Sequence, residues 1–218
     1  ATADELEDGV ACVDLGGGVT SLAMFLRGDL VFADLVRAGG AHVTLDVARR
    51  LSLTVAEAER LKTLEGSASA LDAGSESEVE LTREARRLRG GEPITRAELC
   101  AVVRPRVEDT LRLARDRLAQ AGFFHLPTRR VVLTGGGAEL GGLLHAAREV
   151  FGPHVRLGRP IHLRGLPAEC AGPAYAAAAG LAQYALNADQ EVWDQVKMPK
   201  AAARGGLGGF WRWLKDAW

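Results

Sequence analysis

The most informative stretch of this sequence is Cys12-Val-Asp-Leu-Gly-Gly-Gly-Val-Thr-Ser21, which predicts a buried strand that runs into a turn of three glycines, with an aspartate just before the turn. Glycine tolerates positive φ and lets the backbone come close to a ligand. Successive N–H groups of such a turn can therefore point at anionic oxygens. Asp14 stands where a phosphate-bound Mg²⁺ would need an oxygen ligand. The stretch is typical of a phosphate-binding hairpin.

A second glycine run, Val131-Val-Leu-Thr-Gly-Gly-Gly-Ala138, also follows an apolar strand and precedes a helical pattern. Two such turns in one chain favour a nucleotide clamp. The common nucleotide signatures are absent, because there is no Gly-x-x-x-x-Gly-Lys loop and Leu140 replaces the last glycine of a Gly-x-Gly-x-x-Gly pattern. A serine-hydrolase elbow is absent too, and the five histidines show no metal-ligand spacing.

Composition indicates a folded, water-soluble protein. The 218 residues are 47% hydrophobic and 25% charged, with a net charge of −1. No apolar run reaches the roughly 18–20 residues that cross a bilayer, and the start does not resemble a signal peptide. Cys12, Cys100 and Cys170 lie far apart, so we expect reduced, structural cysteines in a cytoplasmic protein.

The even net charge hides an asymmetry. Residues 1–82 carry 15 acidic and 6 basic side chains, whereas residues 83–130 carry 12 arginines and 6 acids. The arginine block suits a surface that binds carboxylates or phosphates, or else a solvated helix face with pairs such as Glu108/Arg112. Nucleic-acid binding is disfavoured, because an acidic segment precedes the block and no aromatics interleave it over 83–118.

Hydrophobic periodicity predicts an α/β domain interrupted by a smaller insertion. Thr54 is expected to cap a helix, with Glu57 completing a capping box. Thr95 is expected to cap a long helix that Pro105 kinks or splits. The predicted strands are 10–15, 20–27, 30–37, 77–82, 130–134 and 154–157. The predicted helices are 41–51, 55–64, a long helix that follows the Thr95 cap and ends before Gly122, 140–150 and 174–186.

The end of the chain has a different character. Residues 197–209 are rich in Lys, Ala, Pro and Gly, which predicts a flexible linker. Helical spacing then places Arg212, Lys215 and Asp216 on one side and the bulky apolar side chains on the other. Such a segment is typical of an interfacial membrane anchor, although a helix docked on its own domain or on a partner would show the same pattern. The expected membrane residues are Leu207, Phe210, Trp211, Trp213, Leu214 and Trp218.

Together these motifs resemble the second half of an actin/Hsp70-like nucleotide-binding fold. Asp14-Leu-Gly-Gly-Gly18 is similar to the superfamily's second phosphate loop, and Thr134-Gly-Gly-Gly-Ala138 to its adenosine motif. Glu59 and Lys62 match a pair that the superfamily places against the ribose and adenine. By spacing alone, this pair is equally an i,i+3 surface ion pair.

Two further features narrow the resemblance: the segment Gly39-Gly-Ala-His-Val-Thr-Leu-Asp46 and the amphipathic terminus. With them, the chain from residue 9 to 218 resembles the FtsA family of bacterial cell-division proteins. The resemblance implies an actin-like subdomain over 9–51 and 129–188, an inserted α+β subdomain over 52–128, a linker over 189–206 and a membrane-targeting amphipathic helix over 207–218. It implies ATP and Mg²⁺ as cofactors, with Asp14 near the metal. The implied nucleotide contacts are Asp14, Gly16, Gly17, Gly18, Thr20, Glu59, Lys62, Gly135, Gly136 and Gly137.

The same resemblance implies an adaptor that tethers division filaments to the membrane. The inserted subdomain would bind the C-terminal peptide of the tubulin-like protein FtsZ, through Arg104 and Arg106. Anionic lipids of the inner membrane, at the cytoplasmic face of the septum, would be a second partner, and self-association into actin-like protofilaments is implied.

Two departures from the family pattern shift the emphasis from turnover to binding. Val19 stands where the family has a threonine next to the glycines, with Thr20 following it. The family's first half, which supplies the other wall of the cleft, has no counterpart here, so we expect a fragment that binds ATP weakly and hydrolyses it negligibly. The alternative function is half of a sugar or acetate kinase of the same superfamily.

Overall fold

The computed structural model describes residues 1–69, 74–126, 128–161 and 165–186. The predicted linker and the predicted amphipathic helix, with Leu207, Phe210, Trp211, Trp213, Leu214 and Trp218, lie outside these ranges. Residues Ala1–Leu181 form one unit and Ala182–Trp218 a second. The subdomain boundaries at 51/52 and 128/129 stay a prediction.

A five-stranded mixed sheet organises the first unit, in the order β3-β2-β1-β4-β5. The central strand β1 pairs antiparallel with β2 and parallel with β4, so that Asp14 lies opposite both Ser21 and Thr134. The two glycine turns follow β1 and β4, and they therefore meet at the same edge of the sheet. The strands are β1 Val10–Leu15, β2 Thr20–Leu26, β3 Asp29–Val36, β4 Arg130–Thr134 and β5 Val155–Leu157.

The β2–β3 hairpin forms as its sequence predicts. Arg27 and Gly28 both adopt positive φ, 55° and 82°, which is the geometry of a two-residue turn whose twist matches its strands. The extra residue on β3 opposite Met24 and Phe25 forms a bulge near the turn.

The helices that matter for the site pack over the sheet. The long helix α5 contacts α2, α3, α6, β2 and β3, and its predicted apolar stripe, which includes Leu99, Val103, Leu111 and Leu118, is fully buried. The helices are α1 Ala3–Asp8, α2 Gly40–Arg50, α3 Val55–Glu65, α4 Arg83–Leu88, α5 Arg96–Gln120, α6 Leu143–Phe151 and α7 Ala176–Leu186.

Pro105 does not split α5, which runs unbroken from Arg96 to Gln120. The ring removes the N–H that would bond to the carbonyl of Ala101. Both residues are exposed, so water can satisfy that carbonyl. Of the two predicted effects of Pro105, the split was wrong and the kink stays a prediction.

Three further local predictions need correction. Residues 77–82 form no strand, only a single bridge between Glu78 and Thr95. Thr54 caps α3 as expected, but Glu57 does not complete a capping box, because its carboxylate instead accepts hydrogen bonds from Arg60 and from the Thr82 N–H. The short helices α1 and α4 were missed, since six residues are too few to show a period.

Candidate functional site

A cavity of about 680 Å³ opens where β1 and β4 end. Gly16 and Gly17 of the first turn line it, as do Gly136 and Gly137 of the second. The parallel pairing of β1 with β4 brings these turns together from positions about 120 residues apart. Both predicted glycine motifs thus contribute to a single cavity.

The start of α2 holds the first turn in place. The N–H of Gly40 donates to the carbonyl of Gly16 at 2.9 Å, and the N–H of Ala41 donates to the carbonyl of Gly17 at 2.8 Å. In a trans peptide the C=O and the following N–H point in opposite directions. The N–H groups of Gly17 and Gly18 are therefore turned away from α2, and no described residue accepts a hydrogen bond from either.

Gly39 makes this contact possible because it lacks a side chain. A Cβ at this position would lie 2.6 Å from the carbonyl oxygens of both Gly16 and Gly17. Its N–H donates to Nδ1 of His42 at 3.2 Å, and the hydroxyl of Thr20 donates to the carbonyl of Ala38 at 2.8 Å. The segment before α2 is thus fixed on both sides.

The second turn has a tight and an open position. Gly135 has φ of 84°, and a Cβ there would collide with Oδ1 of Asp14. A Cβ on Gly137 would lie 2.9 Å from Leu15. A Cβ on Gly136 meets nothing within 4 Å, although Gly136 lines the cavity. The missing side chain of Gly136 therefore leaves space that a bound ring could fill.

Asp14 lies beneath the second turn and does not line the cavity. Burial raises the pKa of its carboxyl, while a hydrogen bond with Thr134 works in the opposite direction. No group of three or more His, Cys, Asp or Glu side chains in the described ranges is arranged to hold a metal ion. The role of Asp14 near Mg²⁺ stays a prediction, and it depends on a phosphate that supplies further oxygen ligands to the metal.

Glu59 and Lys62 do form the i,i+3 ion pair, and they also line the cavity. The Nζ of Lys62 lies 2.7 Å from Oε2 of Glu59, 2.9 Å from Oγ1 of Thr44 and 3.2 Å from the carbonyl of Gly40. Burial opposes ionisation of Glu59, but hydrogen bonds from Lys62 and Thr44 outweigh it and hold the pKa of Glu59 below its usual value. The lowered pKa keeps the Glu59 carboxylate ionised beside Lys62 at the cavity wall.

Sequence reasoning missed Thr44 and the apolar wall. Thr44 belongs to the quoted 39–46 segment, one turn after Gly40, and it joins α2 to the ion pair on α3. Val107 and Thr110 of α5, together with Leu140 and Leu143, close the cavity on another side. Their signal was present as the apolar stripe of α5, but a stripe does not say which of its residues face a cavity.

Other predicted site residues in the described ranges do not line the cavity: besides Asp14, these are Gly18, Gly135, Thr20, Arg104 and Arg106. Thr20 is fully buried with its hydroxyl bound to Ala38, so the structure gives it a role in holding the turn rather than in meeting a phosphate. Arg104 pairs with Glu108 at 2.6 Å, and Arg106 pairs with Asp46 of α2 at 2.5 Å. Both arginines are partly exposed, and each already has a carboxylate partner.

None of the helices within the described part of the chain is both long enough and apolar enough to span a bilayer.

Comparison with known proteins gives a family. The sequence model described as cell division protein FtsA matches residues 11–180. The cell division protein FtsA of Rhizobium meliloti (strain 1021) is 41% identical over 218 residues, which cover 98% of this chain and 49% of that protein. That of Escherichia coli (strain K12) is 33% identical over 209 residues, covering 89% and 49%. The chain thus spans about half the length of these curated relatives.

A solved structure gives the same fold. MreB 5 of Spiroplasma citri, crystallised with AMPPNP, has a TM-score of 0.63 at 18% identity, covering 86% of this chain and 56% of that chain. Identity this low shows the fold alone, which is the actin-like α/β architecture expected from the two glycine turns. The residues matched by the family model include both turns, Glu59 and Lys62. The chain belongs to the FtsA family of cell division proteins.

Proposed function

We propose that the cavity binds ATP. The observation that carries the proposal is the pairing of two features at one cavity. The first glycine turn has N–H groups that no described residue accepts, and there is open space over Gly136 beside an apolar wall. The N–H groups of Gly17 and Gly18 would hold phosphate oxygens. Gly136 and Gly137 would lie under the adenosine, with Glu59 and Lys62 beside it.

A matched pair of glycine variants tests this proposal. We expect Gly136→Val to weaken ATP binding at least tenfold, measured by titration calorimetry, because the side chain fills the cavity. Gly74→Val is the control, since a Cβ at Gly74 also meets nothing within 4 Å and Gly74 does not line the cavity. Equal affinities of both variants, or no ATP binding by the unmodified chain, would overturn the proposal.

We propose that this chain alone does not turn ATP over. It spans half the length of its curated relatives, and the groups argued here bind and orient the ligand rather than activate water. The phosphate oxygens of bound ATP would accept hydrogen bonds from the turn N–H groups, and this contact holds the ligand without cleaving it. A steady-state phosphate-release assay that found multiple turnovers by the 218-residue chain would contradict this.

The adaptor function rests on family membership and on the sequence of the terminus. We propose that residues 207–218 bind anionic lipids on the cytoplasmic face of the inner membrane, at the division septum. Co-sedimentation with phosphatidylglycerol vesicles should be lost when 207–218 are deleted, and Trp213→Glu should weaken it strongly. Asp216→Ser, on the polar side, should not. Undiminished binding by the deletion variant would rule the tether out.

We further propose that Arg104 and Arg106 bind the C-terminal peptide of FtsZ. Their present partners, Glu108 and Asp46, are themselves partly exposed, so a peptide carboxylate can compete for the guanidinium groups. We expect Arg104→Ala and Arg106→Ala each to weaken peptide binding severalfold in fluorescence anisotropy. Arg83→Ala is a control, because it is exposed and lies in α4. The proposal fails if all three variants bind alike.

A further inference from the structure

His42 is a side chain that the proposed nucleotide site does not use, yet it sits at the start of α2 next to the first glycine turn. Its Nδ1 accepts the N–H of Gly39 at 3.2 Å, and its own N–H donates to the carbonyl of Gly39 at 3.0 Å. This is one half of a capping box, in which the side chain of the third helical residue, usually Glu or Gln, accepts the N-cap N–H. Here an imidazole takes that role. Gly39 has no side chain to return the bond, so its backbone carbonyl accepts the His42 N–H instead.

The two peptide groups that follow Gly39 hold the first glycine turn in position. The N–H groups of Gly40 and Ala41 are the ones that hold the carbonyls of Gly16 and Gly17. A helix leaves its first N–H groups without intrahelical partners, so the glycine turn uses donors that α2 itself cannot satisfy. The direction of these donors depends on how the chain enters the helix, and the His42 acceptor fixes that entry.

A substitution that loosens Gly39 therefore has a defined consequence. If Gly39 rotates, the N–H groups of Gly40 and Ala41 no longer meet the two carbonyls. The peptide planes between Gly16 and Gly18 are then free to turn, and with them the N–H groups of Gly17 and Gly18. Glycine adds to this risk, because it has no side chain to restrict its backbone.

We propose that His42 is a positioning residue that, through Gly39, keeps the N–H groups of Gly17 and Gly18 directed at a bound phosphate. To accept at Nδ1 the ring must carry its proton on Nε2. The ligand class is a polyphosphate, and the inference rests on the proposed nucleotide site for its functional meaning. The hydrogen-bond relay itself is independent of that proposal.

The test compares two variants that separate ring size from hydrogen bonding. His42→Phe keeps a ring of similar volume without an acceptor, whereas His42→Gln keeps an acceptor without a ring. In the unmodified 218-residue chain without ligand, we expect slow amide exchange at Gly39 by NMR. The ¹⁵N shift of His42 Nδ1 should be that of an unprotonated nitrogen. His42→Phe should accelerate exchange at Gly39, Gly40 and Ala41 about tenfold, and His42→Gln should restore it.

ATP affinity then supplies the functional readout. We expect His42→Phe to weaken Mg-ATP binding severalfold and His42→Gln to bind like the unmodified chain, while thermal unfolding of both stays similar. The proposal is overturned if His42→Phe and His42→Gln have the same ATP affinity and the same exchange rates. It is also overturned if neither variant changes amide exchange at Gly40 and Ala41. If the unmodified chain binds no ATP, the proposed nucleotide site fails, but the exchange data still decide whether His42 positions the turn.

Discussion

At the scale of single residues, the pairing of Glu5 with Arg156 makes stability depend on pH. Glu5 in α1 is nearly buried, and Nε of Arg156 in β5 lies 2.6 Å from its Oε1. The hydrogen bond from Arg156 outweighs burial and lowers the pKa of Glu5 to about 2. Because the folded value lies below the unfolded one, the stabilisation is complete above about pH 5 and is lost as pH falls towards 2.

We therefore expect Glu5→Gln to lower the free energy of unfolding at pH 7 by roughly 1–2 kcal/mol, after allowing for solvent screening at Arg156. The difference from the unmodified chain should shrink between about pH 5 and 2. Urea titrations over that range measure it. Glu7→Gln is the control, since Glu7 is exposed on the same helix, and a constant difference at every pH would contradict the argument.

Gly135 and Gly136 are neighbours with opposite tolerance for a side chain. Gly135 has positive φ and would place a Cβ against Asp14, whereas a Cβ on Gly136 meets open space. We expect Gly135→Ala to lower the free energy of unfolding by about 2 kcal/mol or more. Gly136→Ala should change it by less than about 0.5 kcal/mol. Equal losses in chemical denaturation would show that the turn is not as constrained as described.

At the scale of elements, α5 offers an equally direct comparison. Leu111 is fully buried on the core-facing side of α5, whereas Leu113, two residues further along, is 50% exposed. Leu111→Ala should cost about 2–5 kcal/mol through lost burial and the cavity it leaves. Leu113→Ala should cost well under 1 kcal/mol. A similar loss at both positions would mean that the exposed side of α5 is covered in solution.

The sequence predicted those elements whose burial pattern is periodic. The strands predicted at the positions of β1 to β5 formed, and so did α2, α3 and α5, whose apolar residues recur at helical spacing. The short α1 and α4 give no period, and residues 77–82 alternate without having a neighbouring strand to pair with. In the site, the glycine turns were found because glycine marks special backbone. Val107 and Leu143, which line the cavity, and Thr44, which contacts the ion pair there, were not found, since their positions depend on how α2, α5 and α6 pack.

At the scale of the whole molecule, the tryptophans are confined to the C-terminal part of the chain. All four, at positions 193, 211, 213 and 218, follow the last described residue, 186, and the sequence before them has none. Tryptophan emission therefore reports only on residues 193–218. Far-UV circular dichroism reports mainly on the helices and strands of the described unit.

If the terminus is a membrane anchor rather than a helix docked on its own domain, these two signals should be independent. Urea should then unfold the sheet and helices, by circular dichroism, with no coincident change in tryptophan emission. Vesicles of phosphatidylglycerol should shift the emission to shorter wavelength, because indoles move into the headgroup region, and the urea midpoint should stay where it was. Neutral phosphatidylcholine vesicles should shift it less, since they lack the attraction for Arg212 and Lys215. A change in emission at the same urea concentration as the circular dichroism transition would instead favour the docked helix, and would leave the adaptor proposal without its membrane contact.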